Sequence, residues 1–128
     1  DARSQTADSL HFDLICHERG RVVADPHPDH TGTYPANVRR WRVTSRYAVD
    51  LQAMRFCGLS ECARLGPRPI ASLDAEHIVF LDAPGLIWRV RRADGYSRQD
   101  MIDGERVSVM TGYCRRASFS GFPPTAVG

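Results

Sequence analysis

The most concentrated group of potential metal ligands lies in a proline-rich stretch of the sequence. Asp25, His27, Asp29 and His30 place two carboxylates and two imidazoles close together in the chain. Such ligands suit zinc or copper, and the interleaved prolines would reduce the cost of ordering a ligand set. The pattern permits a zinc or copper site. The favoured interpretation is a polar, proline-rich surface loop without a cofactor, because no helix or strand fixes the directions of these side chains.

Arginine side chains form a second candidate site. All 17 basic residues are arginine, and the chain contains no lysine. A guanidinium group grips carboxylates and phosphates in a bidentate manner, so arginines that share a surface would attract an anionic ligand or an acidic protein. A coding bias toward arginine is the favoured explanation of the composition. Five arginines are predicted to point outward from two strands and are candidates for an anion-binding site: Arg40, Arg42, Arg46, Arg89 and Arg91.

Two questions about this arginine site stay open at the level of the sequence. The first is whether the two strands are neighbours, since only then would the five charges form one patch. The second is how far nearby carboxylates neutralise them, which would leave a solvated, partly ion-paired face. The carboxylates concerned are Asp50, Asp94, Asp100 and Glu105.

Motifs for catalysis and for phosphate binding are missing from the sequence. There is no G-x-S-x-G nucleophile elbow and no glycine-rich phosphate loop of either common type. The formal net charge is only +2, and no nucleic-acid-binding motif occurs. The sequence therefore favours a protein that is not an enzyme and has no nucleic-acid partner. A small hydrolase or isomerase with a pocket at a barrel mouth is kept as an alternative.

Four cysteines indicate a disulfide framework if the protein is exported. Cys57 and Cys62 enclose a short loop, and we predict that they pair. This leaves Cys16 to pair with Cys114, which would tie the last strand of the chain to the first. A zinc site is the competing explanation, but the C-x4-C spacing has no second tight pair to complete it.

Two alternating runs dominate the first half of the chain. Leu10 to His17 predicts a strand whose core face includes Cys16. Glu18-Arg19-Gly20 is predicted to turn the chain into a short return strand, Arg21 to Ala24. After a loop at 25–37, Val38 to Leu51 predicts a strand with these side chains inside: Trp41, Val43, Tyr47, Val49 and Leu51.

The second half of the chain predicts a meander of antiparallel strands. Met54 to Cys57 precedes at most one helical turn near 60–65, which Ser60 is expected to cap. Asp-Gly and similar turn signals then separate the later runs. We predict strands at Pro69–Leu73, His77–Leu81, Leu86–Arg91, Tyr96–Met101 (as an edge strand) and Glu105–Cys114.

The last predicted strand contains a conflict. Val107, Val109 and Tyr113 share one face, whereas Cys114 has the opposite parity. Cys16 has core parity in its own strand. Three resolutions are open: a bulge at Gly112 shifts the parity, the disulfide pairing is wrong, or the bridge lies on the outer face.

About eight short strands in one domain predict an all-β fold, namely a small antiparallel, disulfide-stapled β-barrel, with a β-sandwich as the alternative. Residues 1–9 are expected to form a flexible N-terminal segment. Residues 10–128 are expected to form one domain, onto which a tail at 115–128 packs through Phe119 and Phe122. No apolar run approaches the length of a membrane span. The first residues lack a basic-then-apolar pattern, so we expect the numbering to begin after a removed signal peptide.

The outline is similar to small exported bacterial β-barrels, among them the periplasmic inhibitors of C-type lysozyme. The resemblance rests on the architecture and on Cys16 and Cys114 near the two ends of the barrel. It implies a periplasmic or secreted protein. We expect an exported binding module that presents loops or one face to a protein or a small anionic ligand. An inhibitor of a cell-wall hydrolase is one version of this function, and a metal-binding protein is an alternative.

Overall fold

A computed structural model describes residues 10–25 and 39–122. The described chain is all-β, with one short helix, and its strands form a single antiparallel sheet that curls into a half-barrel. The predicted fold class is thereby confirmed. The elements are β1 (His11–Ala24), β2 (Arg40–Asp50), β3 (Arg55–Gly58), α1 (Leu59–Leu65), β4 (Arg68–Pro69), β5 (Ser72–Leu73), β6 (His77–Ala83), β7 (Leu86–Arg91), β8 (Tyr96–Asp103) and β9 (Arg106–Ala117).

The strand order of the sheet is β4-β3-β2-β1-β9-β8-β7-β6-β5. The first and last strands are neighbours at the centre of the sheet, and each continues outward into its own meander. The two edge strands, β4 and β5, are consecutive in the chain and only Ile70 and Ala71 separate them. The sheet therefore curls so that its two edge strands, β4 and β5, are joined by this two-residue connection. The predicted edge position of Tyr96–Met101 is wrong, because β8 pairs on both sides, with β7 and β9.

The predicted turn at Glu18-Arg19-Gly20 is also wrong, because β1 runs through these residues without a break. Gly20 lies directly opposite Trp41 on β2. A Cβ atom at Gly20 would lie 2.1 Å from the Trp41 indole. The absence of a side chain at Gly20 thus makes room for the Trp41 indole. Residues 18–24 continue the first strand.

Both predicted disulfides are present, Cys16–Cys114 and Cys57–Cys62. Cys16 and Cys114 are direct partners in the β1–β9 register, and their Cα atoms are 3.9 Å apart. No bulge occurs at Gly112, since the only shift in this register lies between Val22 and Ala24.

The parity conflict disappears because the inward face of β9 is the one that carries Cys114. Its inward side chains include Arg106, Ser108 and Met110, whereas Tyr113 is exposed on the other face. Gly112 has a different role from the predicted one. A Cβ atom at this position would lie 2.0 Å from the His17 carbonyl oxygen, so the glycine permits the close approach of β9 to β1.

Aromatic rings from both flanks of the sheet meet inside the half-barrel. The ring centroids of Phe56 on β3 and Phe80 on β6 are 4.9 Å apart, although five strands lie between β3 and β6 in the sheet order. Trp88 stacks on Phe80 at 4.4 Å and contacts Tyr47 at 4.7 Å. Burial of these rings contributes apolar free energy that favours the curl.

A smaller cluster packs outside the main core. Ala48, Cys57 and Cys62 are buried there, with Phe119 and Phe122 of the tail packed against them. The backbone N–H of Ser120 donates a hydrogen bond to Asp13 Oδ1, at 3.0 Å. These contacts hold the described part of the tail against the sheet. The remainder of the predicted tail (123–128) and the predicted N-terminal segment (1–9) lie outside the described residues.

Helix α1 is close to the predicted helical turn, but its start differs. Gly58 is the N-cap, and no side chain caps the helix. Ser60 lies within the first turn, so the predicted cap at Ser60 is wrong. The Cys57–Cys62 disulfide joins β3 to this helix and buries both sulfurs in the smaller cluster.

Candidate functional site

Four arginines cluster on the outer face of the sheet at the junction of β1 and β2. Arg19 lies directly opposite Arg42, and Arg21 lies directly opposite Arg40. All four side chains are exposed. We call this group the arginine quartet. It lines an open groove of about 690 Å³ together with Thr111 on β9 and the backbone neighbours Gly20 and Trp41.

No arginine of the quartet forms an ion pair with a carboxylate among residues 10–25 and 39–122. The ion pairs found there are made by other basic side chains. Like charges that lie directly opposite each other across two strands are destabilising. The arrangement therefore carries an unfavourable charge interaction that an anionic partner would relieve. Each guanidinium can donate paired hydrogen bonds to a carboxylate or a phosphate.

Other arginines on the outer face are already paired with carboxylates. Arg46 Nε lies 2.7 Å from Oδ2 of the buried Asp13. Arg91 donates two hydrogen bonds to Asp94, at 2.9 and 2.7 Å, and this contact lowers the pKa of Asp94 to about 2. Arg98 pairs with Asp100 in a similar way, at 2.9 Å. These pairs leave the quartet as a distinct positive patch.

The structure divides the five arginines predicted to bind anions. Arg40 and Arg42 belong to the quartet, whereas Arg46 and Arg91 form the ion pairs described above. Three strands, β1, β9 and β8, lie between β2 and β7, so Arg89 and Arg91 are not adjacent to the other three. The five residues therefore do not form one continuous patch.

Arg19 and Arg21 were missed as site residues because the sequence analysis placed them in a turn and a return strand. One signal could have found them. The polar residues His17, Arg19 and Arg21 continue the outward parity of the 10–17 run. Extending that alternation through Gly20 places both arginines on the same face as Arg40 and Arg42.

A buried carboxylate lies on the inner face of the same strand. Glu18 is only 3% exposed. Its Oε2 atom accepts a hydrogen bond of 2.6 Å from the Ser97 hydroxyl, and the Ser97 oxygen in turn accepts one of 2.9 Å from Trp88 Nε1. Its Oε1 atom has no hydrogen-bond partner among the described residues. Burial raises the pKa of Glu18, while Ser97 and Gln99 partly lower it.

The interior of the half-barrel also contains a cavity of about 390 Å³. It lies where β1 ends and β2 begins, close to the start of β9. Arg106 on its wall lies 3.9 Å from Asp25, and Asp25 lies 3.9 Å from Arg39. The lining side chains come from three strands and are mostly apolar: Trp41, Val43, Met101, Asp103, Arg106, Ser108 and Met110.

The predicted metal site lies almost entirely outside the described residues. Of its four members only Asp25 is described, and His27, Asp29 and His30 are not. Within 10–25 and 39–122, no group of three or more histidine, cysteine, aspartate or glutamate side chains is arranged to hold a metal ion. Metal binding at 25–30 therefore stays a prediction. A separate finding is that no helix among the described residues has the length and hydropathy to cross a membrane.

Comparison with known proteins gives no relative for this chain. No family model matches the sequence, no curated protein resembles it significantly, and no solved structure matches its fold significantly.

Proposed function

We propose that this protein is a non-enzymatic binding module that uses the arginine quartet to bind an anionic partner, with an acidic protein surface as the favoured partner. The supporting observation is the placement of Arg19, Arg21, Arg40 and Arg42 as two cross-strand pairs without carboxylate partners among the described residues. Neighbouring strands are about 4.8 Å apart, and alternate residues along a strand are about 6.7 Å apart. Four guanidiniums at this spacing can contact several carboxylates at once.

The rigidity of the scaffold supports this proposal. β1 is held between β2 and β9, and its Cys16 is linked to Cys114. Two arginines of the quartet lie on this strand. A preorganised site loses less conformational entropy on binding than a mobile loop does. Little conformational entropy would therefore be lost in ordering the backbone of the quartet when its partner binds.

We also propose that the protein functions outside the cytosol, in the periplasm or after secretion. Both disulfides are compatible with an oxidising compartment. Inhibition of a cell-wall hydrolase stays a prediction that rests on the architectural resemblance. The alternatives of a metal-binding protein and of a small hydrolase or isomerase also stay predictions.

The proposal is tested by the binding of a fluorescein-labelled oligoglutamate peptide, measured by fluorescence anisotropy at low and at physiological salt. The double variant Arg19→Gln/Arg42→Gln should weaken binding at least tenfold at low salt, because it removes one cross-strand pair of the quartet. Inorganic phosphate serves as a competitor that reports binding of small anions. Binding by the native protein should weaken as salt is added, since exposed charges are screened.

A matched control removes the same formal charge elsewhere. The variant Arg64→Gln/Arg89→Gln changes one exposed arginine on α1 and one on β7. It should bind the peptide within about twofold of the native protein. Equal losses in the two double variants would show that net charge alone attracts the peptide, and the proposed site would then be abandoned.

A further inference from the structure

We infer that the cavity at the open end of the half-barrel is a second binding site, specific for a small, uncharged and mainly apolar molecule. This site lies on the inner face of the sheet. Trp41 lines it, whereas the flanking Arg40 and Arg42 point to the outer face. The inference is therefore independent of the arginine quartet and concerns a different class of ligand.

The cavity has one fixed aromatic wall. The Trp41 indole lies against Gly20, whose missing side chain leaves the space that the ring fills. Because β1 is paired on both sides, the backbone under the ring is held in place. A flat apolar ligand would find a preformed surface on which to stack.

The remaining apolar walls are adaptable. Met101 and Met110 come from the neighbouring strands β8 and β9, and Val43 comes from β2. Methionine side chains adjust to irregular shapes because they are unbranched and polarizable. A volume of about 390 Å³ falls within the range of small-molecule sites, which runs from roughly 300 to 1,000 Å³.

One uncharged polar side chain on the wall is available to orient the ligand. Ser108 is 9% exposed and lines the cavity. Its hydroxyl makes no side-chain hydrogen bond to another described residue. Ser108 is the one uncharged polar side chain that the described residues contribute to the lining. It suits a ligand that carries a donor or acceptor, because a buried polar group gains from finding a partner.

The charges near the cavity favour an uncharged ligand. Arg106 and Asp103 are both part of the lining. Asp25 lies 3.9 Å from Arg106 and from Arg39. Two cations and two anions are thus present around the opening, so neither sign of ligand charge has a clear advantage.

The test uses the uncharged probe N-phenyl-1-naphthylamine, whose fluorescence rises in apolar surroundings. The native, oxidised protein should bind it saturably with a stoichiometry of one. Met101→Trp, which fills the cavity, should weaken binding at least tenfold. The matched control is Ile102→Trp, since Ile102 is the next residue on β8, points to the outer face and is 53% exposed. This control should bind like the native protein.

A second measurement needs no substitution. The chain contains three methionines, and Met54 packs against the main core cluster, not in the cavity lining. With methyl-labelled methionine, NMR signals of Met101 and Met110 should shift when the probe is added, and that of Met54 should stay in place. The anionic probe 8-anilinonaphthalene-1-sulfonate should bind more weakly than the uncharged one.

Three results would overturn the inference. They are the absence of saturable probe binding, equal binding by the Met101→Trp variant and the native protein, and a shift of the Met54 signal without shifts of the other two methionines. The Arg19→Gln/Arg42→Gln variant should retain probe binding. This last result separates failure of the cavity site from failure of the proposed anion site.

Discussion

The two ends of the half-barrel interior are built from the same sheet but are filled differently. At the filled end, Phe56, Phe80, Trp88 and Tyr47 bring rings from both flanks into contact at centroid distances of 4.4 to 5.8 Å. At the open end, the described residues contribute one indole, that of Trp41, which lies against its own sheet at Gly20. They enclose a cavity of about 390 Å³.

The difference indicates that one region of a curled sheet can stabilise the fold while another region provides space for a ligand. Large rings that interdigitate across the barrel remove much apolar area from water and fix the curl. Smaller or flexible side chains on the same inward face leave space when no opposing ring reaches them. We therefore expect most of the unfolding free energy to come from the filled end and most of the binding capacity to come from the open end.

The largest expected effect comes from truncating one side chain at each end. Phe80→Ala should lower the free energy of unfolding by about 3–5 kcal/mol, because it opens a cavity among packed rings. Met110→Ala should cost less than about 2 kcal/mol, because Met110 already borders an open space. Urea unfolding of the oxidised proteins measures both values. Equal losses of unfolding free energy in the two variants would contradict the proposed difference between the filled end and the open end.

An intermediate effect is expected at the contact between Gly20 and Trp41. Gly20→Ala places a methyl group where the indole lies, so the ring must move. The loss of stability should be about 1–3 kcal/mol, as for other overpacked sites. A change in Trp41 fluorescence should accompany it, as should weaker binding of N-phenyl-1-naphthylamine. Full stability together with an unchanged emission spectrum would show that the indole is not held against the strand.

The smallest expected effect concerns Glu18, which lies between the two ends of the interior. Its raised pKa means that the folded state favours the protonated carboxyl. Its contribution to stability is complete below the unfolded-state pKa of 4.5 and is lost as the pH rises through the higher folded-state pKa. Glu18→Gln should therefore be more stable than the native protein at pH 8, and this gain should vanish near pH 4.

Asp94 offers a control of opposite sign for the Glu18 experiment. Its folded-state pKa is lowered to about 2, so its contribution is present above the unfolded-state value of 3.8 and is lost as the pH falls through the lower one. Asp94→Asn should lose stability near pH 7 and match the native protein at the most acidic pH. Urea unfolding across this pH range compares the two variants. A gain for Glu18→Gln that does not depend on pH would show that ionisation of Glu18 is not its cause.

Part of the fold could be predicted from local pattern. Alternation with a period of two residues identified most strands, and the inward face of β2 was assigned correctly, with Val49 buried as expected. The turn at Asp103-Gly104 joins β8 to β9 as a hairpin. Cysteine number and spacing led to the correct pairing of Cys57 with Cys62 and of Cys16 with Cys114.

The sites were harder to predict than the strands. Arg40 and Arg42 were identified, but Arg19 and Arg21 were not, because the glycine at position 20 resembled a turn residue. The inner cavity could not be predicted from any local run, since its lining comes from three strands, β2, β8 and β9. Glu18 was assigned to a turn for the same reason as Arg19.

The sequence by itself determined that this chain forms an antiparallel β domain with two disulfides, because alternation, turn residues and cysteine spacing are local properties. Only the tertiary structure decided which face of β9 is buried, that β1 continues past Gly20, and that four arginines form two opposed pairs. Each of these outcomes depends on side chains from strands far apart in the chain. Alternation places residues on two faces, but contact with the other flank of the sheet selects the face that is buried.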